Sequence, residues 1–179
     1  MTSFLKRIVL SFYFFTCLKC EIIWPTNTGR KLSSNFGEFR DDHFHMGIDI
    51  KTNGKEGYEV YAIEDGFISR MVTNYTGYGK ALYMKIKSEK TAVYCHLSKF
   101  SSELEKELFY RQSKDNAYHV NTYFDSTDFS FKKGDIIGYT GNTGASFGPH
   151  LHFELRSPKG PNLNPLRQGI SISDTIPPV

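Results

Sequence analysis

Two of the six histidines in this 179-residue chain stand two positions apart in the run GPHLHFELR, Gly148 to Arg156. His150, His152 and Glu154 alternate with Leu151, Phe153 and Leu155, the period-2 pattern of a strand with one polar and one apolar face. Both imidazoles then leave the same face, about 6.6 Å apart at the strand rise. At that separation one can hold a metal ion while the other touches what the ion binds. Zinc takes about four tetrahedral ligands, and a catalytic site draws about three of them from protein. The run HFHMGIDI supplies further candidates in His43, His45 and Asp49. On a straight strand His45 and Asp49 would lie roughly 13 Å apart. The chain must therefore bend between them, and Gly47 permits the bend. A third run, TAVYCHLSKF, places His96 mid-strand on the same face as Tyr94.

HMGID, YCHL and GPHLHFELR occur in this order, flanked by NFGEFR, VYAIEDGFI and KKGDIIGYTGNTGAS. Together they resemble the lysostaphin-type (LytM-like) zinc metalloendopeptidases, which are peptidoglycan hydrolases. The resemblance runs from Asn35 to Pro165. It implies one zinc ion per chain held by His45, Asp49 and His152, with His96 and His150 as the catalytic pair beside the open coordination position. It also implies a β-sheet groove with the metal on its floor, and loops such as Asn74–Lys80 and the inserted segment at about residues 101–130 as walls. The substrate it implies is a peptide bond in the stem or cross-link of peptidoglycan. Which bond, and which of His96 and His150 is the general base, the sequence does not choose. Two other readings carry over with the family. One is a non-catalytic LytM-like module that activates a cell-wall amidase, although such relatives typically lose zinc ligands and all three are present here. The other is an endopeptidase acting on exported proteins.

Other residues invite weaker readings. His43, two residues before a ligand candidate, could support it from behind, while His119 is expected to face solvent. Glu154 shares the histidine face and is expected in a cross-strand ion pair. Asn35, Arg40, Tyr75 and Tyr78 are candidate groove residues for substrate. Gly138, Gly141, Gly144 and Gly148 suggest a phosphate loop, but no Gly-Lys-Ser/Thr follows, so tight turns account for them. Cys95 adjoins His96, yet neighbours on a strand point to opposite faces. It reads as a small buried hydrophobe.

The elements that must position these groups are mostly strands. Glu59–Ile63, Gly66–Thr73, Ala81–Lys87 and Thr91–Leu97 are rich in Val, Ile, Tyr and Phe and are separated by turn residues. Ser101–Lys114 reads as a helix, with a serine cap, early glutamates and Leu104, Leu108 and Phe109 near one face. From Asp115 to Ser130 no period is clear, and strand structure resumes at KKGDIIGYTG. The expected fold is all-β, an antiparallel sheet groove carrying one helix-containing insertion at about residues 101–130. The link from His96 to Lys132 is longer than the family's usual connection, so the insertion could restrict the groove or recognise a partner such as an envelope regulator. An oligomeric state is not specified.

Residues 1–20 read as a secretory signal, with basic Lys6 and Arg7, an apolar run from Ile8 to Leu18, and Cys17 and Cys20 at its end. The expected location is the periplasm or cell envelope, with either cysteine a candidate lipid anchor even though Lys19 fits such processing poorly. Lys6, Arg7 and Lys19 account for the whole formal charge of +3, so the remaining chain is neutral and gives no argument for nucleic acid. Residues 21–34 read as an extended lead-in, 35–168 as the metallopeptidase domain, and 169–179 as a tail that begins a further segment or packs on the outside.

Overall fold

The structure is a computed structural model, and it describes residues 22–172. The proposed signal and residues 173–179 of the tail lie outside the described residues. Twelve strands and one long helix follow in order: β1 Leu32–Ser34, β2 Ile48–Lys51, β3 Glu59–Tyr61, β4 Gly66–Thr73, β5 Ala81–Ile86, β6 Thr91–Cys95, β7 Lys99–Phe100, α1 Ser102–Asp115, β8 Val120–Tyr123, β9 Ser130–Phe131, β10 Ile136–Tyr139, β11 His150–Arg156 and β12 Asn162–Leu163, before a 3-10 turn at Pro165–Arg167. The main sheet runs β1-β2-β11-β6-β5-β4-β8, with β12 beside β11 and β9 beside β4. A second sheet runs β3-β10-β7. Every pairing is antiparallel.

The alternation in the sequence decides which side of the main sheet is dry. Leu151, Phe153 and Leu155 of β11 join Tyr94, Leu82, Met84, Ile68 and Ile48 in one core that also holds Val60, Ile137 and Phe100 of the second sheet. Burying such side chains contributes about 1.5–3 kcal/mol each. That burial fixes the register, because a one-residue slip would turn the histidines inward. The opposite face of the main sheet therefore carries His150, His152, Glu154 and Arg156. Next to them a smaller apolar cluster of Ala81, Val93 and Cys95 is covered by Val72, Tyr78 and Tyr83. Cys95 is fully buried there, and burial pushes its thiol pKa well up.

Several boundaries differ from the sequence reading. The lead-in is part of the core: Ile22 and Trp24 are buried in it, and β1 pairs with β2. The tail's Ile170 joins the same cluster. In α1, Leu104 and Leu108 are buried as expected, whereas Phe109 is exposed. The insertion is more than a helix, because β8 and β9 both pair with β4 and extend the main sheet. β8, VNTY, escapes pattern reading because only Val120 is buried. His96 is not mid-strand: β6 ends at Cys95, and His96 has φ +59°. Continued alternation would send its ring into the core behind Tyr94. The left-handed turn brings it to the face of His152 instead.

Candidate metal centre

Three elements deliver three donor atoms to one point. His45 precedes β2, Asp49 lies within it, and His152 sits opposite Asp49 on β11. Gly47 carries the bend between His45 and Asp49, and it also has to be glycine for space. A Cβ there would stand 2.5 Å from the Phe153 carbonyl oxygen and 3.0 Å from the His152 ring. His45 Nε2, Asp49 Oδ1 and His152 Nδ1 form a triangle with edges of 3.1, 2.8 and 3.0 Å. A tetrahedral zinc site with bonds of roughly 2.0–2.1 Å has ligand–ligand edges of about 3.3 Å, so the donor set fits that ion. All three residues are buried, and among the described residues they form the one His/Cys/Asp/Glu group that could hold a metal.

The far side of each donor is also held. His45 Nδ1–H donates to the Asn35 carbonyl at 2.7 Å, which leaves Nε2 with its lone pair. Asp49 Oδ2 accepts from Arg40 Nη2 at 3.1 Å, and the same nitrogen donates to Ser34 Oγ. His152 Nε2–H donates to Glu154 Oε1 at 3.0 Å, which directs Nδ1 at Asp49. Glu154 is itself fully buried. Its Oε1 accepts from the Tyr78 hydroxyl at 2.5 Å, and its Oε2 from Arg156 Nε at 2.7 Å and Asn162 Nδ2 at 3.0 Å. A ligating histidine whose second nitrogen is held by a carboxylate is the usual way of fixing tautomer and ring orientation.

These contacts set the charges. Burial works to raise the Asp49 pKa, but His152 and His45 outweigh it and hold the carboxyl well below the usual range. Burial would lower the His152 pKa, yet the hydrogen bonds to Asp49 and Glu154 raise it to about 9. Burial opposes ionisation of Glu154 as well. Its bonds from His152 and Tyr78 nevertheless bring it to about 2. Burial and the Glu154 charge push the Tyr78 phenol up, so it remains a donor.

His150 and His96 flank the triangle. His150 Nδ1 faces the Gly148 carbonyl at 2.8 Å, and its Nε2 lies 3.6 Å from Asp49 Oδ1. The His96 and His150 rings are 4.8 Å apart, and His96 is 5.9 Å from His152. His96 Nδ1–H donates to the Thr143 carbonyl at 2.8 Å, and its backbone N–H to Tyr78 O at 2.9 Å. These two bonds hold a backbone conformation that costs about 1–2 kcal/mol in a non-glycine residue. The loops supplying them touch through backbone: a Cβ on Gly79 would stand 2.4 Å from the Thr143 carbonyl carbon. Burial pushes the His96 pKa down to about 4 despite the Thr143 bond, so the ring is neutral at physiological pH.

The structure thus brings together all five residues of the ordered motif set, His45, Asp49, His96, His150 and His152. The remaining candidates fall elsewhere. His43 is exposed and paired with Asp42, away from the triangle. Asn35 serves through its backbone carbonyl, Arg40 grips Asp49, and Tyr78 stacks on His152 with ring centroids 5.5 Å apart while donating to Glu154. Tyr75 is exposed and stacked on Tyr118 of the insertion, the placement of a groove wall, and Asn35 is exposed too. Glu154 has an ion pair with Arg156, two positions along its own strand and not across strands, and its bond to His152 was not foreseen. The polar period His150, His152, Glu154, Arg156 is the signal that points to it.

Residues 116–165 match peptidase family M23. The chain is 32% identical over 122 residues to the DD-carboxypeptidase/endopeptidase Mpg of Neisseria meningitidis, an alignment covering 68% of this chain and 22% of that protein. It spans about a fifth of the length of the curated relatives it matches. The catalytic domain of lysostaphin from Staphylococcus simulans superposes with a TM-score of 0.55 at 24% identity, covering 77% of this chain and 90% of that one. A zinc-containing peptidase from Vibrio cholerae gives a TM-score of 0.57 at 24% identity, over 80% and 38% of the two chains. The chain thus carries an M23 peptidase match over residues 116–165 and has the lysostaphin-type fold.

Proposed function

We propose that the protein is an exported zinc-dependent metalloendopeptidase that hydrolyses peptide bonds in the stems or cross-links of peptidoglycan. The observation that carries this reading is the buried triangle of His45 Nε2, Asp49 Oδ1 and His152 Nδ1 with two further imidazoles on its open side. Zinc would be held by those three atoms, and when bound it supplies a Lewis acid and a water whose pKa is lowered to about 7. His150 and His96 each have Nδ1 turned to a backbone carbonyl, so Nε2 is the nitrogen that can take a proton or give one to a leaving amine. His96, kept neutral by burial with its single proton on Nδ1, presents the Nε2 lone pair as an acceptor and donates to developing negative charge only once Nε2 has taken a proton. The similarity to a protein named as a DD-carboxypeptidase/endopeptidase supports a peptidase acting on a peptide bond. The resemblance of the motif set to lysostaphin-type enzymes supports the peptidoglycan substrate, and the basic-then-apolar start of the chain supports export to the periplasm or cell envelope.

Two substitutions test the assignment of roles. In His152→Ala we expect zinc content to fall from about one per chain to near zero. In His150→Ala we expect zinc to be retained and turnover to drop about 10²–10⁴-fold. Full activity in His150→Ala would contradict the roles given to the pair.

A further inference from the structure

The open face of the main sheet carries a second ordered arrangement of side chains beyond the metal centre. Tyr83 of β5, Arg70 of β4 and Tyr123 of β8 are directly opposite one another across three adjacent strands, so all three leave the same face. The Arg70 guanidinium lies 4.8 Å from the Tyr83 ring centre and 5.3 Å from that of Tyr123. Its Nε donates to Asn121 Oδ1 at 2.8 Å. Arg156 also lies over the Tyr83 ring, at 5.3 Å, so that Tyr83 is in contact with both guanidinium groups. Arg156 is engaged by Glu154. Arg70 differs: no acidic side chain among the described residues pairs with it.

Arg70 is therefore a guanidinium with fixed orientation, flanked by two rings, tethered at Nε, and with its Nη1/Nη2 fork left for a ligand. That end-on fork matches a carboxylate in two parallel hydrogen bonds. The row is continuous with the metal centre, since Tyr83 is opposite Val93 and Val93 opposite Glu154. Arg70 is three strand spacings across the sheet from Glu154, which is itself two residues further along β11 than His152. That places it about 16 Å from the metal centre in all, which an extended peptide covers in about four to five residues. Asn121 and Tyr123 both belong to the segment inserted between β7 and β9, so this arrangement exists because the insertion adds β8 to the sheet edge.

We propose that Arg70, clamped between Tyr83 and Tyr123, binds a free carboxylate of the peptide substrate about four to five residues from the bond to be cut. This rests on the peptidase reading above, and it gives the insertion a function: it builds the far wall of a substrate subsite. The experiment is calorimetric titration of the full chain in a His150→Ala background, which leaves the peptide intact. The probes are a synthetic pentapeptide with a free C-terminal carboxylate and its C-terminal amide.

The parent should bind the acid about tenfold more tightly than the amide, the scale of one partly exposed charge-assisted pair. Arg70→Gln should bring that ratio to about one, and Arg70→Lys, which keeps the charge without the fork, should fall between. Tyr123→Leu, which removes one ring of the clamp, should also reduce it. A variant that folded poorly would weaken both peptides alike, so the ratio isolates the carboxylate contact. The proposal is overturned if the parent shows no preference or if the preference survives Arg70→Gln. If the unmodified chain cleaved no peptide, the peptidase reading would fail, whereas the acid-to-amide ratio would still report on Arg70.

Discussion

His152 shows how one side chain is assigned its role from two directions. Its Nδ1 faces Asp49 and His45, while its Nε2–H is held by Glu154, which Tyr78, Asn162 and Arg156 hold in turn. Replacing Glu154 by Gln keeps the shape but removes the charge that fixes the tautomer. We expect a 10–100-fold loss of zinc affinity by chelator competition, the usual effect of removing the carboxylate behind a ligating histidine. Unchanged affinity would mean that Glu154 is only a structural ion pair with Arg156. At this scale the sequence was informative about type and order: the ordered histidines and aspartate are the residues that meet. It was not informative about Arg40 and Tyr78. Both suggested a groove wall, and both instead turn inward to grip carboxylates that only the fold brings near them.

Elements place those side chains through two kinds of backbone constraint. The strand register follows from alternation and was legible. β4 was read with the ends it has, and β11 with the face it has. The turns were less legible, because their geometry depends on what lies across from them. Gly47 read as a bend, but its stricter requirement is space beside the Phe153 carbonyl, which comes from β11, 106 positions away. Gly47→Ala should therefore destabilise the fold by about 1–3 kcal/mol, as overpacking does, and lower zinc affinity too, since the displaced carbonyl neighbours His152. Chemical denaturation with parallel zinc titration checks both effects. His96 is the other case. No local pattern announces a left-handed histidine, and it is the carbonyls of Tyr78 and Thr143 on two neighbouring loops that hold it there.

Across the whole molecule, the metal centre ties the segment before β2 to β2 and β11 at the centre of the main sheet, so occupancy should be felt globally. With free zinc at about 100 times its Kd, ligand linkage adds about 2.7 kcal/mol to stability. In a domain of this size that raises Tm by roughly 5–10 °C. Differential scanning calorimetry with and without a chelator reads this, and an unchanged Tm would argue against a metal at His45, Asp49 and His152. The lead-in and the insertion both proved integral to the sheet system, and neither was evident from composition: β1 is three residues long and β8 is mostly polar. The measurement that bears most directly on the central claim is mass spectrometry of fragments released from purified sacculi by the protein, with and without a zinc chelator. Cleavage at a peptide stem or cross-link that stops on chelation and returns with added zinc is the predicted result. A chain that holds zinc at full occupancy and releases no fragment would contradict the claim.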